Sequence, residues 1–173
     1  VFIATIAAHV RAFYDPFEVE IVTERPSEGN YVMAVIGGKP DDVGLPACTE
    51  EDPTCPLGTA WLDCSPFPST EIGEVMYNVD GNRGIVFVFA DPFTFFPERT
   101  FHESALRMGA TIAHELGHSF GLAHVDDEEC VMDRDSSGIT ARFCVAPFEP
   151  LDGRCGRGDT QDAPAILTDV FSQ

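Results

Sequence analysis

One eleven-residue segment, His-Glu-Leu-Gly-His-Ser-Phe-Gly-Leu-Ala-His at positions 114–124, constrains this chain more than any other feature. On a helix, residues four apart lie on the same face, so His114 and His118 project side by side. Gly121 accepts left-handed backbone angles, which predicts that the helix ends there and that the chain turns back. The turn brings His124 toward the other two imidazoles. Three histidines placed in this way predict a zinc site whose fourth position stays open for water.

The residue after the first histidine predicts chemistry at this site. Glu115 points to the side of the histidine pair, where its carboxylate reaches a metal-bound water rather than the metal. The segment therefore predicts amide hydrolysis, with zinc as cofactor and Glu115 as the catalytic base. The alternative is a set of core histidines that share a helix by chance. It is disfavoured, because three of the chain's five histidines lie in this one segment.

Charge and length exclude several classes of function. The chain has 173 residues, 44% of them hydrophobic, which fits one catalytic domain with a sizeable core. Asp and Glu number 29 against 10 Lys and Arg, a net charge of -19 that disfavours nucleic acid and anionic membranes as partners. No apolar run has the length of a membrane span. The first residues lack the Met and basic region of a signal peptide, so a mature or excised domain is expected.

Six cysteines predict disulfides and an oxidising compartment, since their number is even and they form no CxxC pair. Three lie between positions 48 and 64 and three between 130 and 155, so full pairing requires a bridge between the two groups. The pairing itself stays open. A second zinc held by cysteines is the alternative, and it lacks the usual close ligand spacing.

Hydrophobic periodicity outlines the elements around the site. Helical spacing predicts helices over 1–13, from about 103 to 120, and over 163–171. Alternation predicts a strand with one wet face over 17–23. Continuous apolar runs predict strands over 31–37, covered on both faces, and over 84–90. A short edge strand is predicted over 58–64, after a long loop from 37 to 57.

The segment 114–124 resembles the metzincin zinc peptidases, and its residues are most similar to the matrixin version. Metzincins carry a methionine in a tight turn beneath the metal, and Met132 stands eight residues after His124 at matrixin-like spacing. The resemblance implies an α+β fold with a twisted mixed sheet of about four to five strands and two main helices. It further implies a zinc cleft between an N-terminal subdomain, 1–121, and a small irregular C-terminal subdomain, 122–173, that contains the Met-turn.

The resemblance also implies where substrate lies. The strand over 58–64 corresponds to the antiparallel edge strand that pairs with an extended peptide through backbone hydrogen bonds. The predicted substrate-binding residues are Thr59, Ala60, Trp61 and Leu62. The alternative is a strand that serves only the sheet.

Some positions depart from the matrixin pattern. Val125 follows the third histidine, where matrixins usually have Ser and adamalysins Asp. Cys130-x-Met132 resembles the archaemetzincins, but the Cys after the third histidine and the later CxxC of that group are missing. Arg134 stands two residues after the methionine, where astacins and serralysins carry a tyrosine. The subfamily therefore stays open.

Calcium is a further cofactor that the sequence leaves open. Asp133-x-Asp135-x-Ser137-Gly138 resembles half of a calcium loop, but Cys144 stands where the closing acidic residue belongs. The acidic run over 126–129 lies beside the site and is also typical of a solvated charged face.

Together these features predict a secreted, monomeric zinc endopeptidase that acts on protein or peptide substrates. One alternative is a zinc-bearing binding or adhesion module without catalysis, which the intact Glu115 disfavours. Another is hydrolysis of an amide in a small molecule.

Overall fold

The computed structural model describes residues 2–28, 31–47, 49, 56–60, 85–90, 100–134, 141–149 and 158–172. The helices are α1 (Phe2–Tyr14), α2 (Phe101–Ser119) and α3 (Ala163–Phe171), with a 3-10 turn over Pro40–Val43. The strands are β1 (Met33–Ile36), β2 (Gly58–Thr59), β3 (Ile85–Val88), β4 (Val145–Pro147) and β5 (Thr160–Asp162). The mixed α+β class predicted from the sequence is confirmed.

The main sheet is centred on β3. Its strand order is β1-β3-β2, with β1 parallel and β2 antiparallel to β3. Val86 and Val88 on β3 are fully buried, whereas Ile85 and Phe87 are only partly buried, so the continuous apolar run over 84–90 is covered completely on one face. Within the described ranges this sheet has three strands, and the other two form a separate antiparallel pair, β4-β5.

The two longer helices pack against each other beside this sheet. Helix α1 buries Ile6, Val10 and Tyr14, which recur every four residues along one face. The Tyr14 hydroxyl donates a hydrogen bond of 3.1 Å to the carbonyl of Ala113, in the centre of α2. This contact joins the start of the chain to the helix that carries the histidines.

Helix α2 begins two residues earlier than the apolar periodicity predicts. Thr100 and Glu103 form a capping box, in which the Thr100 Oγ1 accepts from the Glu103 N–H and the Glu103 carboxylate accepts from the Thr100 N–H. This pair satisfies N–H groups that a helix start leaves unpaired. The Thr-x-x-Glu spacing was present in the sequence and marks the true start.

One apolar core joins the parts of the chain on both sides of residue 121. It contains Val88 and Leu116 from the first part, and Leu122 and Leu167 from the second. Aromatic rings strengthen this junction: Phe171 on α3 packs on Phe120 at a centroid distance of 4.9 Å. The apolar core therefore continues across the predicted boundary at residue 121. The division into two subdomains stays a prediction.

Two strand predictions need correction. The segment 17–23 alternates partly buried Phe17, Val19 and Ile21 with exposed neighbours, as predicted, but it forms no strand. The Ile21 carbonyl accepts instead from the Arg11 guanidinium, at 2.7 Å from Nη2, so a side chain takes the place of a strand partner. The second correction concerns β1, where Val35 and Ile36 are 36% and 39% exposed. Its place at the end of the strand order leaves these side chains less covered than those of β3.

None of the helices in the described ranges has the length and apolar character needed to cross a bilayer.

Candidate metal centre

The first two histidines project from the C-terminal half of α2. Their Nε2 atoms lie 3.0 Å apart. His118 is buried and His114 is partly buried, because the face of α2 that carries them lies against the segment that follows the helix. The four-residue spacing therefore brings the two imidazoles together, as helix geometry predicts.

The turn at the end of α2 brings the third histidine to them. Gly121 has a φ of 85°. Its N–H donates to the His118 carbonyl at 3.0 Å, and the Leu122 N–H donates to the Gly117 carbonyl at 2.9 Å. This pair of bonds is the Schellman arrangement, which requires the left-handed residue that glycine supplies. The Nε2 of His124 then lies 3.2 Å from the Nε2 of each other histidine.

Backbone carbonyls orient two of the rings. The Nδ1 of His114 lies 2.8 Å from the Val131 carbonyl, and the Nδ1 of His118 lies 2.7 Å from the Leu122 carbonyl. A carbonyl only accepts, so each Nδ1 carries the proton and each Nε2 of a neutral ring presents a lone pair. Metal-ligating histidines are usually held in this way.

The three nitrogens fit a zinc ion. Lone pairs that converge at 3.0–3.2 Å repel one another unless a cation lies between them. Tetrahedral zinc with Zn–N bonds of about 2.0–2.1 Å spaces its ligand nitrogens about 3.3 Å apart, close to what is observed. Among the described residues, His114, His118 and His124 form a group that suits a metal. Burial is the largest cause, and the neighbouring His118 the second, that lowers the pKa of His114 to about 3. The His114 ring is therefore neutral and can bind a metal.

Glu115 faces the sheet. Only 7% of its surface is exposed, and burial raises the pKa of its carboxyl to about 8. Its side chain lies against the backbone of β2, where a Cβ built on Gly58 would come within 2.6 Å of Oε1. The predicted base and the predicted substrate strand are therefore neighbours.

Met132 packs against α2 between the first two histidines. It is 1% exposed, and its Sδ would be 2.5 Å from a Cβ built on Gly117, in the middle of the zinc-binding segment. Its carbonyl accepts from the Val125 N–H at 3.1 Å, which ties it to the residue after His124. The Met-turn role of Met132 stays a prediction.

A glutamine from β5 holds the segment over 121–124, which follows α2 and is called the return loop below. Gln161 is 2% exposed, and its side-chain amide makes two hydrogen bonds to the backbone of Ala123. The Ala123 N–H donates to Oε1 at 2.8 Å, and Nε2 donates to the Ala123 carbonyl at 2.9 Å. Gln161 therefore orients the peptide that precedes the third histidine.

The segment after β4 also contacts His124. The Glu149 N–H donates to the His124 carbonyl at 3.2 Å. Its carboxylate forms an ion pair with Arg134, with 3.2 Å between Oε2 and the Arg134 Nε. A disulfide between Cys130 and Cys144 closes the chain around the Met-turn.

Comparison with known proteins finds similarity to peptidases over part of the chain. The model of Peptidase family M54 matches residues 74–143, which is 70 of the 173 residues and includes the whole zinc-binding segment and Met132. An archaemetzincin of Haloquadratum walsbyi is 41% identical over 51 residues, which is 30% of this chain and 28% of that relative. No solved structure matches the chain. The matrixin-like subfamily suggested by the sequence is not confirmed by these matches.

The other predicted site residues are only partly described. Gly58–Thr59 forms β2 and Ala60 follows it, whereas Trp61 and Leu62 lie outside the described residues. Most of the predicted calcium loop, 135–138, also lies outside them. Within the described residues, the acidic run over 126–129 contributes only Asp127 to a group that suits a metal, beside Cys130 and Cys144, whose sulfurs are joined to each other. Calcium therefore receives no support.

Sequence reasoning missed three residues that shape the site: Gly58, Gly117 and Gln161. Gly117 stands inside the recognised segment, so its contact with Met132 had a local signal. Gly58 and Gln161 act across long separations in the chain, and a single sequence carries no mark of either contact.

Proposed function

We propose that this protein is a zinc-dependent endopeptidase. One observation carries the proposal: three histidine Nε2 atoms converge within 3.2 Å of one another beside a buried glutamate that lies against an edge strand. A purely structural zinc site needs four protein ligands and no such glutamate.

The three histidines and Glu115 have different roles in the proposed reaction. The three histidines hold the metal, and bound zinc supplies Lewis acidity that acidifies a water and polarises the scissile carbonyl. The Glu115 carboxylate accepts the proton of the attacking water and then delivers it to the departing amine nitrogen. Burial raises the pKa of this carboxyl to about 8, and a metal ion held by the three histidines would favour its ionised form.

The substrate is proposed to be an extended peptide. Strand β2 pairs with β3 on one side, and among the described strands it has no partner on the other. An extended peptide adds to such an edge through backbone hydrogen bonds, with side chains in alternate pockets. Gly58, Thr59 and Ala60 then lie along the peptide next to Glu115. Trp61 and Leu62, which lie outside the described residues, are proposed as further substrate-binding residues.

Replacement of Glu115 tests the mechanism. We expect Glu115→Ala to bind one zinc as the wild type does and to lose peptide cleavage by about 10²–10⁴-fold, the usual contribution of a general base. The measurement is digestion of a peptide library with and without a chelator, paired with metal analysis of each protein. Glu128→Ala, which removes an exposed carboxylate near the site, is the matched control and should cleave as the wild type does.

The same digest separates the rival functions. A binding or adhesion module would hold zinc and cleave nothing, in the wild type as in Glu115→Ala. An amidase for small molecules would leave the peptide library intact but release amine from small amides in a chelator-sensitive manner. Full peptide cleavage by Glu115→Ala would overturn the role given to this residue.

We further propose a secreted monomer with a matrixin-like arrangement of the Met-turn. The Cys130–Cys144 disulfide supports an oxidising compartment, since such bonds persist mainly outside the cytosol. The eight-residue spacing between His124 and Met132 supports the matrixin-like arrangement. Fractionation of the producing cells, mass measurement in solution and an experimental structure of the zinc-loaded protein test these three points.

A further inference from the structure

We propose that Gly58 is a positioning residue for Glu115: the base keeps its place because position 58 carries no side chain. The inference rests on the proposed function, in which Glu115 moves the proton. A Cβ built on Gly58 would lie 2.6 Å from the Glu115 Oε1, 2.7 Å from Cγ and 2.9 Å from Cδ. All three distances are shorter than a carbon atom tolerates, so any other residue must displace this side chain or the strand.

The strand is the less movable partner. Gly58 pairs with Val88, which is fully buried in the centre of the sheet. The Leu57 carbonyl accepts from the Phe89 N–H at 2.9 Å, so the strand is also fastened just before Gly58. Retreat of β2 would break this pairing, whereas Glu115 has rotatable bonds. A side chain at position 58 is therefore expected to displace the carboxylate.

Backbone conformation does not explain the glycine. Gly44 and Gly121 have positive φ values, of 82° and 85°, whereas the φ of Gly58 is not positive. Its extended strand conformation is open to every residue. The requirement for glycine is therefore one of space, and the three atoms nearest to a Cβ at this position all belong to Glu115.

The first test is kinetic. We expect Gly58→Ala to lower kcat by about 10–100-fold, since misplacing a reacting group by about 1 Å costs up to 10²-fold. KM for the same peptide should change by less than about twofold, because substrate pairs with the backbone of β2. A role of Gly58 in substrate binding alone would raise KM and leave kcat unchanged, which would overturn the proposal.

Gly44→Ala is the matched control. It adds the same methyl group where no atom lies within 4 Å, but at a φ of 82° that alanine disfavours. This variant should lose some stability and keep wild-type kcat. Loss of kcat in Gly44→Ala equal to that in Gly58→Ala would mean that general destabilisation explains both, and the proposal would fail.

The second test does not depend on activity. Thermal unfolding is compared for wild type, Gly58→Ala, Glu115→Ala and the double variant, all with saturating zinc. Gly58→Ala should lower Tm by about 3–6 °C in the wild type and by less than about 1 °C where Glu115 is already truncated, since the clash is then gone. Equal losses in both backgrounds would overturn the proposal.

The two tests distinguish this inference from the proposed function. If wild type cleaves no peptide, the proposed function fails, and the Tm cycle still decides whether Gly58 and Glu115 compete for the same space. If wild type cleaves and Gly58→Ala cleaves equally fast, the proposed function stands and the positioning role of Gly58 is wrong.

Discussion

The three histidines of this candidate metal centre are held in two different ways. His114 and His118 are placed by the backbone of one helix, and only four residues separate them. His124 is placed by contacts from other parts of the chain: Met132 bonds to the next residue, Gln161 to the preceding one, and Glu149 to His124 itself. The helical pair therefore depends on local geometry, whereas the third ligand depends on tertiary packing.

This difference has a consequence for mutation. Exposed positions on α2 should tolerate change without loss of metal, because the helix preserves the spacing of its two ligands. Remote residues that hold the return loop should affect zinc affinity even though none of them touches the metal. Three variants test this comparison, in order of expected effect.

The largest effect is expected where helix and Met-turn meet. Gly117→Val places methyl groups where the Sδ of Met132 already lies 2.5 Å from an ideal Cβ. Overpacking of this kind costs about 3 kcal/mol of unfolding free energy, and it should also displace the Val131 carbonyl that orients His114. The measurement is urea unfolding with saturating zinc.

A second substitution checks the cause. Met132→Ala removes the side chain that Gly117→Val would strike, so the double variant should lose less stability than the two single losses added together. Simple additivity would mean that Gly117 and Met132 are not coupled. The stability of α2 would then not depend on its contact with Met132.

The next largest effect is expected at Gln161. Gln161→Leu preserves volume but leaves the buried N–H and carbonyl of Ala123 without their side-chain partners. Removing an outer partner of a ligand typically costs about 10–100-fold in metal affinity. Competition with a chelator of known affinity measures the zinc Kd.

Thr160→Ala provides the control for Gln161, because Thr160 lies on the same strand with its side chain exposed. It should bind zinc as the wild type does. Unchanged zinc affinity in Gln161→Leu would contradict the dependence of His124 on tertiary packing, since this histidine would then need no support from β5.

The smallest effect is expected from Glu149→Gln. The Arg134 side chain is half exposed, and such ion pairs contribute about 0.2–1 kcal/mol. Zinc affinity should fall by less than about threefold, and the difference from wild type should vanish at about 1 M salt, where charges are screened. A tenfold loss of zinc affinity that persists in high salt would mean that the ion pair between Glu149 and Arg134 contributes more to the position of His124 than expected.

Much of the site was open to prediction from sequence. The pairing of His114 with His118 and the turn at Gly121 depend on helix periodicity and on the steric freedom of glycine, and both act within a few residues. For the same reason the bounds of α3 were predicted correctly. The Thr100-x-x-Glu103 spacing indicates the start of α2. The strand predicted over 17–23 failed because alternation reports which side chains face the core, whereas a strand also requires a partner.

The tertiary structure alone decided how the site is supported. Gln161 reaches a backbone 38 residues away, and Gly58 meets Glu115 from a different layer of the fold. These contacts depend on how sheet, helix and return loop pack, and no local pattern encodes that distance. The sequence by itself determined which side chains are proposed to bind metal and to move a proton. Packing decided how firmly each of them is held.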